Sequence, residues 1–154
     1  MPITTTDEAF MDAALAEGRR ALPACLPNPP VGCVLVRDGA IVARGFTQPP
    51  GNPHAEALAL AQLDGPLDDV TAYVTLEPCS FHGRTPSCAR TMVERGVRRV
   101  FVAMLDPDAR NNGKGMDLLR AAGCEVTVGL REDAARRDLA PHLALPENGA
   151  PPNP

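Results

Sequence analysis

Val31–Phe46 reads VGCVLVRDGAIVARGF. Two apolar runs rich in branched residues flank Asp38-Gly39, a pair that tolerates the positive φ of a tight turn. The stretch predicts a β-hairpin. Its first arm is apolar on both faces, so the hairpin is expected to be covered on both sides. Downstream, HAEALALAQL (54–63) predicts a helix with Asn52 as N-cap and Pro53 as first helical residue. VTAYVTL (70–76) is a strand, and a helix is expected from about Pro86 to Arg95 behind Thr85 as N-cap. VRRVFVAM (97–104) is a strand again. A polar loop, DPDARNNGKG (106–115), leads to a helix near Met116–Ala122, a last strand at Cys124–Val128 closed by Gly129, and a short helix near Glu132–Leu139.

Upstream, Phe10, Ala13, Ala14, Leu15, Ala21 and Leu22 recur at helical spacing, which predicts an amphipathic helix over Asp7–Leu22 with Thr6 and Asp7 as cap candidates. PACLPNPP (23–30) cannot continue it, because proline removes donors and clashes with preceding carbonyls. A hairpin followed by alternating helices and strands implies an α/β fold: a mixed five-stranded sheet in three layers, with helices on both faces. We expect one domain over 1–140, and a disordered tail over 141–154 because LPENGAPPNP is rich in proline and poor in apolar residues.

The chain has 154 residues, 44% hydrophobic, enough to bury a real core. No stretch approaches the roughly 20 apolar residues of a membrane span, and the N-terminus lacks a signal-peptide pattern. The expected compartment is the cytoplasm. Net charge is -4 and only 3% of residues are aromatic. Nucleic acid would ask for a basic footprint and stacking rings, so the expected partner is a small molecule. No G-x-G-x-x-G run occurs, and NADPH is not an expected ligand.

A reducing compartment and an odd number of cysteines, five, argue against a disulfide framework. TLEPCSFHGRTPSC (75–88) nevertheless places Cys79 and Cys88 at the two ends of a polar loop. Together with His54 they supply an imidazole and two thiolates, which suit zinc and leave a fourth position for water. His54 and Glu56 are two apart on a helix and point about 200° away from each other, so both should not bind the metal. Glu56 is instead the candidate proton carrier. Both cysteines near a helix start gain thiolate character from unpaired amides. Alone, H-x-E specifies nothing and paired cysteines are often buried hydrophobes. The conjunction of H-x-E, P-C and a later cysteine follows the order of the zinc deaminase signature. Cys25, Cys33 and Cys124 lack such partners and read as packing residues.

The residues NPPVGCVLVRDGAIV, GNPHAEALAL, AYVTLEPCSFHGRTPSC, GVRRVFVAMLDPD and GKG carry a family resemblance over about Glu8–Leu130. The chain resembles the deaminase domain of the bifunctional riboflavin-biosynthesis deaminase/reductases. Relatives with cytidine deaminase activity, and those acting on tRNA adenosine, set their cysteines two residues apart; the insert SFHGRTPS belongs to this branch. The resemblance implies a cytidine-deaminase-like fold and a homo-oligomer. It makes His54, Cys79 and Cys88 zinc ligands and Glu56 the proton shuttle. It also implies substrate contacts from Asn28, Thr47, Phe81, Arg84 and Asp106, although Asn28-Pro29 equally suits a turn start. Three positions depart from the pattern: Thr47 and Phe81 stand where the family has histidines, and Asp108 stands in D-P-D where it often has D-P-N. Two lost histidines and one gained carboxylate make the far end of the substrate site less welcoming to phosphate. The reductase domain is not expected here. A phosphoribosyl aminopyrimidine and a related, unphosphorylated heterocycle both stand as substrates, and a metal-binding module without turnover is the reading from another class.

Overall fold

Asp38 and Gly39 take φ values of 51° and 75° and close a two-residue turn between β1 (Gly32–Arg37) and β2 (Ala40–Phe46). The structure is a computed structural model that describes residues 3–80 and 87–143. The hairpin pairs from Gly32↔Phe46 to Arg37↔Ala40, and a register shift leaves Val42 as the extra residue on β2. β1 is buried along nearly its whole length, but β2 is the sheet edge and turns Ala40, Val42 and Arg44 to solvent. Cover on both sides therefore applies to β1 and not to the whole hairpin.

β3 (Val70–Val74) pairs antiparallel with β1, and β4 (Arg99–Val102) and β5 (Glu125–Val128) join in parallel, giving the order β2-β1-β3-β4-β5. This is the mixed five-stranded sheet that the element order predicts. Its strands are shorter than the apolar runs. Leu76, Val97, Ala103 and Met104 lie beyond the ladder yet are buried, so burial extends the hydrophobic pattern past the last paired residue.

Residues opposite one another across a sheet share a face. Tyr73 opposes Val34 and Phe101, stacks on the Phe101 ring at 4.9 Å, and donates its hydroxyl to Asp7 Oδ1 at 2.6 Å. That face is covered by α1 (Thr5–Arg19), with α5 (Glu132–Leu139) against α1. The cap of α1 is Thr4, upstream of the expected Thr6 and Asp7. Asp7 is the third helical residue of a capping box, accepting from Thr4 N while Thr4 Oγ1 accepts from Asp7 N. The opposite face carries α2 (Ala55–Leu60), α3 (Cys88–Glu94) and α4 (Lys114–Ala121). Arg95 ties the end of α2 down, donating to the carbonyls of Leu60, Leu63 and Gly65. Residues 140–142 form a 3-10 turn that straddles the expected boundary between domain and tail; residues 144–154 lie outside the described residues. Among the described residues no helix is long and apolar enough to cross a membrane.

Candidate active site

The first turn of α2 lies directly on the edge strand because Gly45 has no side chain. A Cβ there would sit 2.2 Å from the Ala55 carbonyl oxygen and 2.9 Å from Ala59 N. This close approach sets where α2 begins. The sequence points to Asn52 as cap and Pro53 as first helical residue, whereas His54 is the N-cap and Ala55 the first helical residue. Asn52 spends its amide locally, donating to the Pro49 carbonyl at 3.1 Å. His54 makes no capping bond, and its Nδ1 faces sulfur: 3.5 Å from Cys88 Sγ and 4.0 Å from Cys79 Sγ. Glu56, one residue into the helix from Ala55, is buried at 4% exposure.

The cysteines are brought together by the start of α3. Ser87, not the expected Thr85, is its N-cap, with Oγ accepting from Arg90 N; Thr85 and Pro86 lie outside the described residues. The same hydroxyl donates to the Cys79 carbonyl at 2.7 Å, which also accepts from Ala89 N at 3.1 Å. Cys88 N donates to Cys79 Sγ at 3.2 Å. One helix start thus holds both the backbone and the sulfur of Cys79 while offering Cys88 beside it. The donor atoms of His54, Cys79 and Cys88 all lie within 4.8 Å of one another. Tetrahedral coordination at ordinary Zn–N and Zn–S lengths separates donors by roughly 3.5–3.8 Å, so this set fits a zinc-sized ion.

The electrostatics fit the same use. The Cys88 thiol hydrogen-bonds to Cys79 and holds it far below the usual thiol range, at about 4. That contact and burial push Cys88 up. Metal binding at this pair would release the proton that Cys88 holds. The hydrogen bond to Cys79 raises His54. Burial raises Glu56 from 4.5 to about 7, against the pull of His54. Cys33, fully buried on β1, is pushed up by burial and by the Glu56 charge, which places this packing cysteine on the α2 side of the sheet near the carboxylate.

Of the residues carried over as substrate contacts, Phe81 and Arg84 lie outside the described residues. Thr47 is buried, and its hydroxyl donates to the Pro29 carbonyl at 2.9 Å and accepts from Val31 N at 3.0 Å. It braces the chain on either side of the hairpin. Asn28 is half-buried, and its N–H donates to the Cys25 carbonyl. Burial raises Asp106 to about 6, and its carboxylate accepts from Asp108 N and Asn111 Nδ2. The Asp108 carboxylate is paired by Arg110 at 2.8 Å, which offsets the charge that counted against phosphate.

Sequence reasoning passes over Glu77. Its buried carboxylate accepts from the N–H groups of Asp106, Gly113, Gly115 and Met116, at 2.9–3.2 Å. An anion at a helix start offsets the orphan amides. Gly115 makes this possible, because a Cβ there would lie 2.1 Å from the Pro78 carbonyl oxygen. The legible signal is an acid at the end of a strand and a glycine-flanked helix start, NNGKG, needing one. Glu77→Gln turns a donor toward donors, and urea denaturation is expected to show a loss of roughly 3 kcal/mol.

A histidine and a buried glutamate at the start of one helix, with two cysteines beside the start of another, are the residue types of the zinc deaminase signature, in its order. The chain belongs to that class: residues 4–104 match the family described as the cytidine and deoxycytidylate deaminase zinc-binding region. Within it, the riboflavin biosynthesis protein RibD of Haemophilus influenzae is 44% identical over 98% of this chain, which spans 41% of that relative. RibD of Escherichia coli K12 is 45% identical over 85% of this chain and 36% of its own length. Acinetobacter baumannii RibD superposes with a TM-score of 0.83 at 44% identity, covering 86% of this chain and 37% of that one. The Thermotoga maritima diaminohydroxyphosphoribosylaminopyrimidine deaminase/5-amino-6-(5-phosphoribosylamino)uracil reductase gives 0.81 at 36% identity, covering 88% and 39%. The chain spans about two fifths of the curated relatives it matches.

Proposed function

We propose that this chain is a zinc-dependent aminohydrolase acting on the diaminohydroxyphosphoribosylaminopyrimidine for which the Thermotoga relative is named. The observation that carries this reading is the convergence of His54, Cys79 and Cys88 within 4.8 Å beside buried Glu56. His54, Cys79 and Cys88 would hold Zn2+, which when bound supplies Lewis acidity that makes water nucleophilic near neutral pH. Glu56 would take the first proton lost by that water and hand it to the ring nitrogen, then carry the second, from the hydroxyl newly bonded to the ring carbon, to the departing amine. The ring carbon gains a C–O bond and loses its C–N bond, and ammonia leaves. With no cation beside it, burial raises Glu56 to about 7, which makes it a stronger base than an exposed glutamate.

The second reading, a related unphosphorylated heterocycle, draws on Thr47, whose hydroxyl is committed to backbone. Measuring kcat/KM for the phosphorylated pyrimidine and its dephosphorylated form separates the two. A preference above about tenfold, or roughly 1.4 kcal/mol, is expected for the phosphorylated compound. Equal turnover, or turnover of a free base only, moves the enzyme to the second reading.

A further inference from the structure

Asn111 lies in the loop between β4 and α4 and is fully buried, at 0% exposure. A buried side-chain amide is stable only where its donors and acceptor are met. Oδ1 accepts from Ser80 N at 3.1 Å. Nδ2 donates to the Pro78 carbonyl at 3.3 Å, with the Glu77 carbonyl and Asp106 Oδ2 each at 3.5 Å. The flipped amide would set NH2 against an N–H and oxygen against carbonyls, so only this orientation pairs.

Pro78 and Ser80 flank Cys79. The amide therefore spans a metal-ligand residue as a neighbouring strand would, bonding the C=O before it and the N–H after it. Those two bonds restrict the backbone torsions of Cys79 and so the direction of its Cα–Cβ bond. From the other side α3 holds the Cys79 carbonyl and sulfur. Asn111 is fixed in turn: its N–H donates to the Asp108 carbonyl at 2.9 Å, and Glu77 Oε1 accepts from Asp106 N and Gly113 N at the two ends of the loop. Residues 77–80 and the 106–113 loop form one hydrogen-bonded unit.

We propose that Asn111 is a positioning residue of the metal centre, which sets Cys79 for coordination and couples it to the loop carrying Asp106. This rests on the zinc deaminase reading. The test compares the unaltered chain with Asn111→Val, which keeps bulk without polarity, and Asn111→Asp, which keeps the acceptor for Ser80 N but turns oxygen toward the carbonyls. Zn2+ affinity is measured by competition with a chelator, and Tm with and without Zn2+. Both variants are expected to bind Zn2+ about 10–100-fold more weakly, the scale for lost support of a ligand. The gain in Tm on adding Zn2+ shrinks to match. Asn112→Ala, at the exposed neighbour, leaves both unchanged. A purely structural role lowers Tm equally with and without Zn2+ and leaves affinity within twofold; that result overturns the proposal, and if Asn111→Val does not fold, Asn111→Asp decides alone. If the unaltered chain itself binds no Zn2+, the zinc reading falls and takes this one with it.

Discussion

Glu56→Gln is expected to keep its zinc and to release ammonia from the aminopyrimidine at least ~10²-fold more slowly than the unaltered chain, the scale of a lost general acid-base. Glutamine fills the same buried space at the start of α2 but cannot take up a proton. Glu56 is 4% exposed, and burial is the largest cause of its rise to about 7. A bound dication pulls that value down again, which keeps the group ionised when water must be activated. Metal analysis of the variant separates the roles: loss of zinc along with activity makes Glu56 a ligand, and unchanged ammonia release removes it as the proton shuttle. Ammonia from neither protein supports the non-catalytic metal-binding module instead.

The parts of this site that sequence exposes are those whose chemistry is local. Asp38-Gly39 sets a turn by its own φ values, and His54, Cys79 and Cys88 belong to residue types whose conjunction points to metal. The helix starts are read less well. Asn52 has a good capping side chain, but its amide goes to Pro49, and the packing of Ala55 on Gly45 decides the first turn. That contact joins residues far apart in sequence, and local propensity carries no trace of it. Glu77 and Asn111 are hidden for the same reason. Glu77 meets its four amides 29 to 39 residues downstream, so its partners exist only once β4 and α4 are in place. Thr47 has a role that neither spacing nor resemblance carries: its hydroxyl lies within reach of Pro29 and Val31 and braces the backbone there.

Cys88→Ala is expected to abolish zinc retention and, with it, detectable turnover. The variant should fold: alanine is a strong helix former, and the backbone N–H that donates to Cys79 Sγ remains. What disappears is the donor 3.5 Å from His54 Nδ1. Zinc sites bind with about 10–16 kcal/mol; shared over three protein donors, one thiolate accounts for roughly 4 kcal/mol, or about 10³-fold in affinity. The loss also frees Cys79 from the thiol that holds its pKa near 4, so the remaining sulfur competes less well as thiolate. Cys33 sharpens the comparison. It is fully buried within the influence of Glu56 and Cys88, and it carries the same thiol as the missing ligand. Cys33→Ala is expected to keep a normal zinc content, because its thiol is not among the converging donors. Zinc measured after gel filtration checks both variants. Normal zinc in Cys88→Ala, or its loss in Cys33→Ala, replaces the assignment of His54, Cys79 and Cys88 with a different donor set.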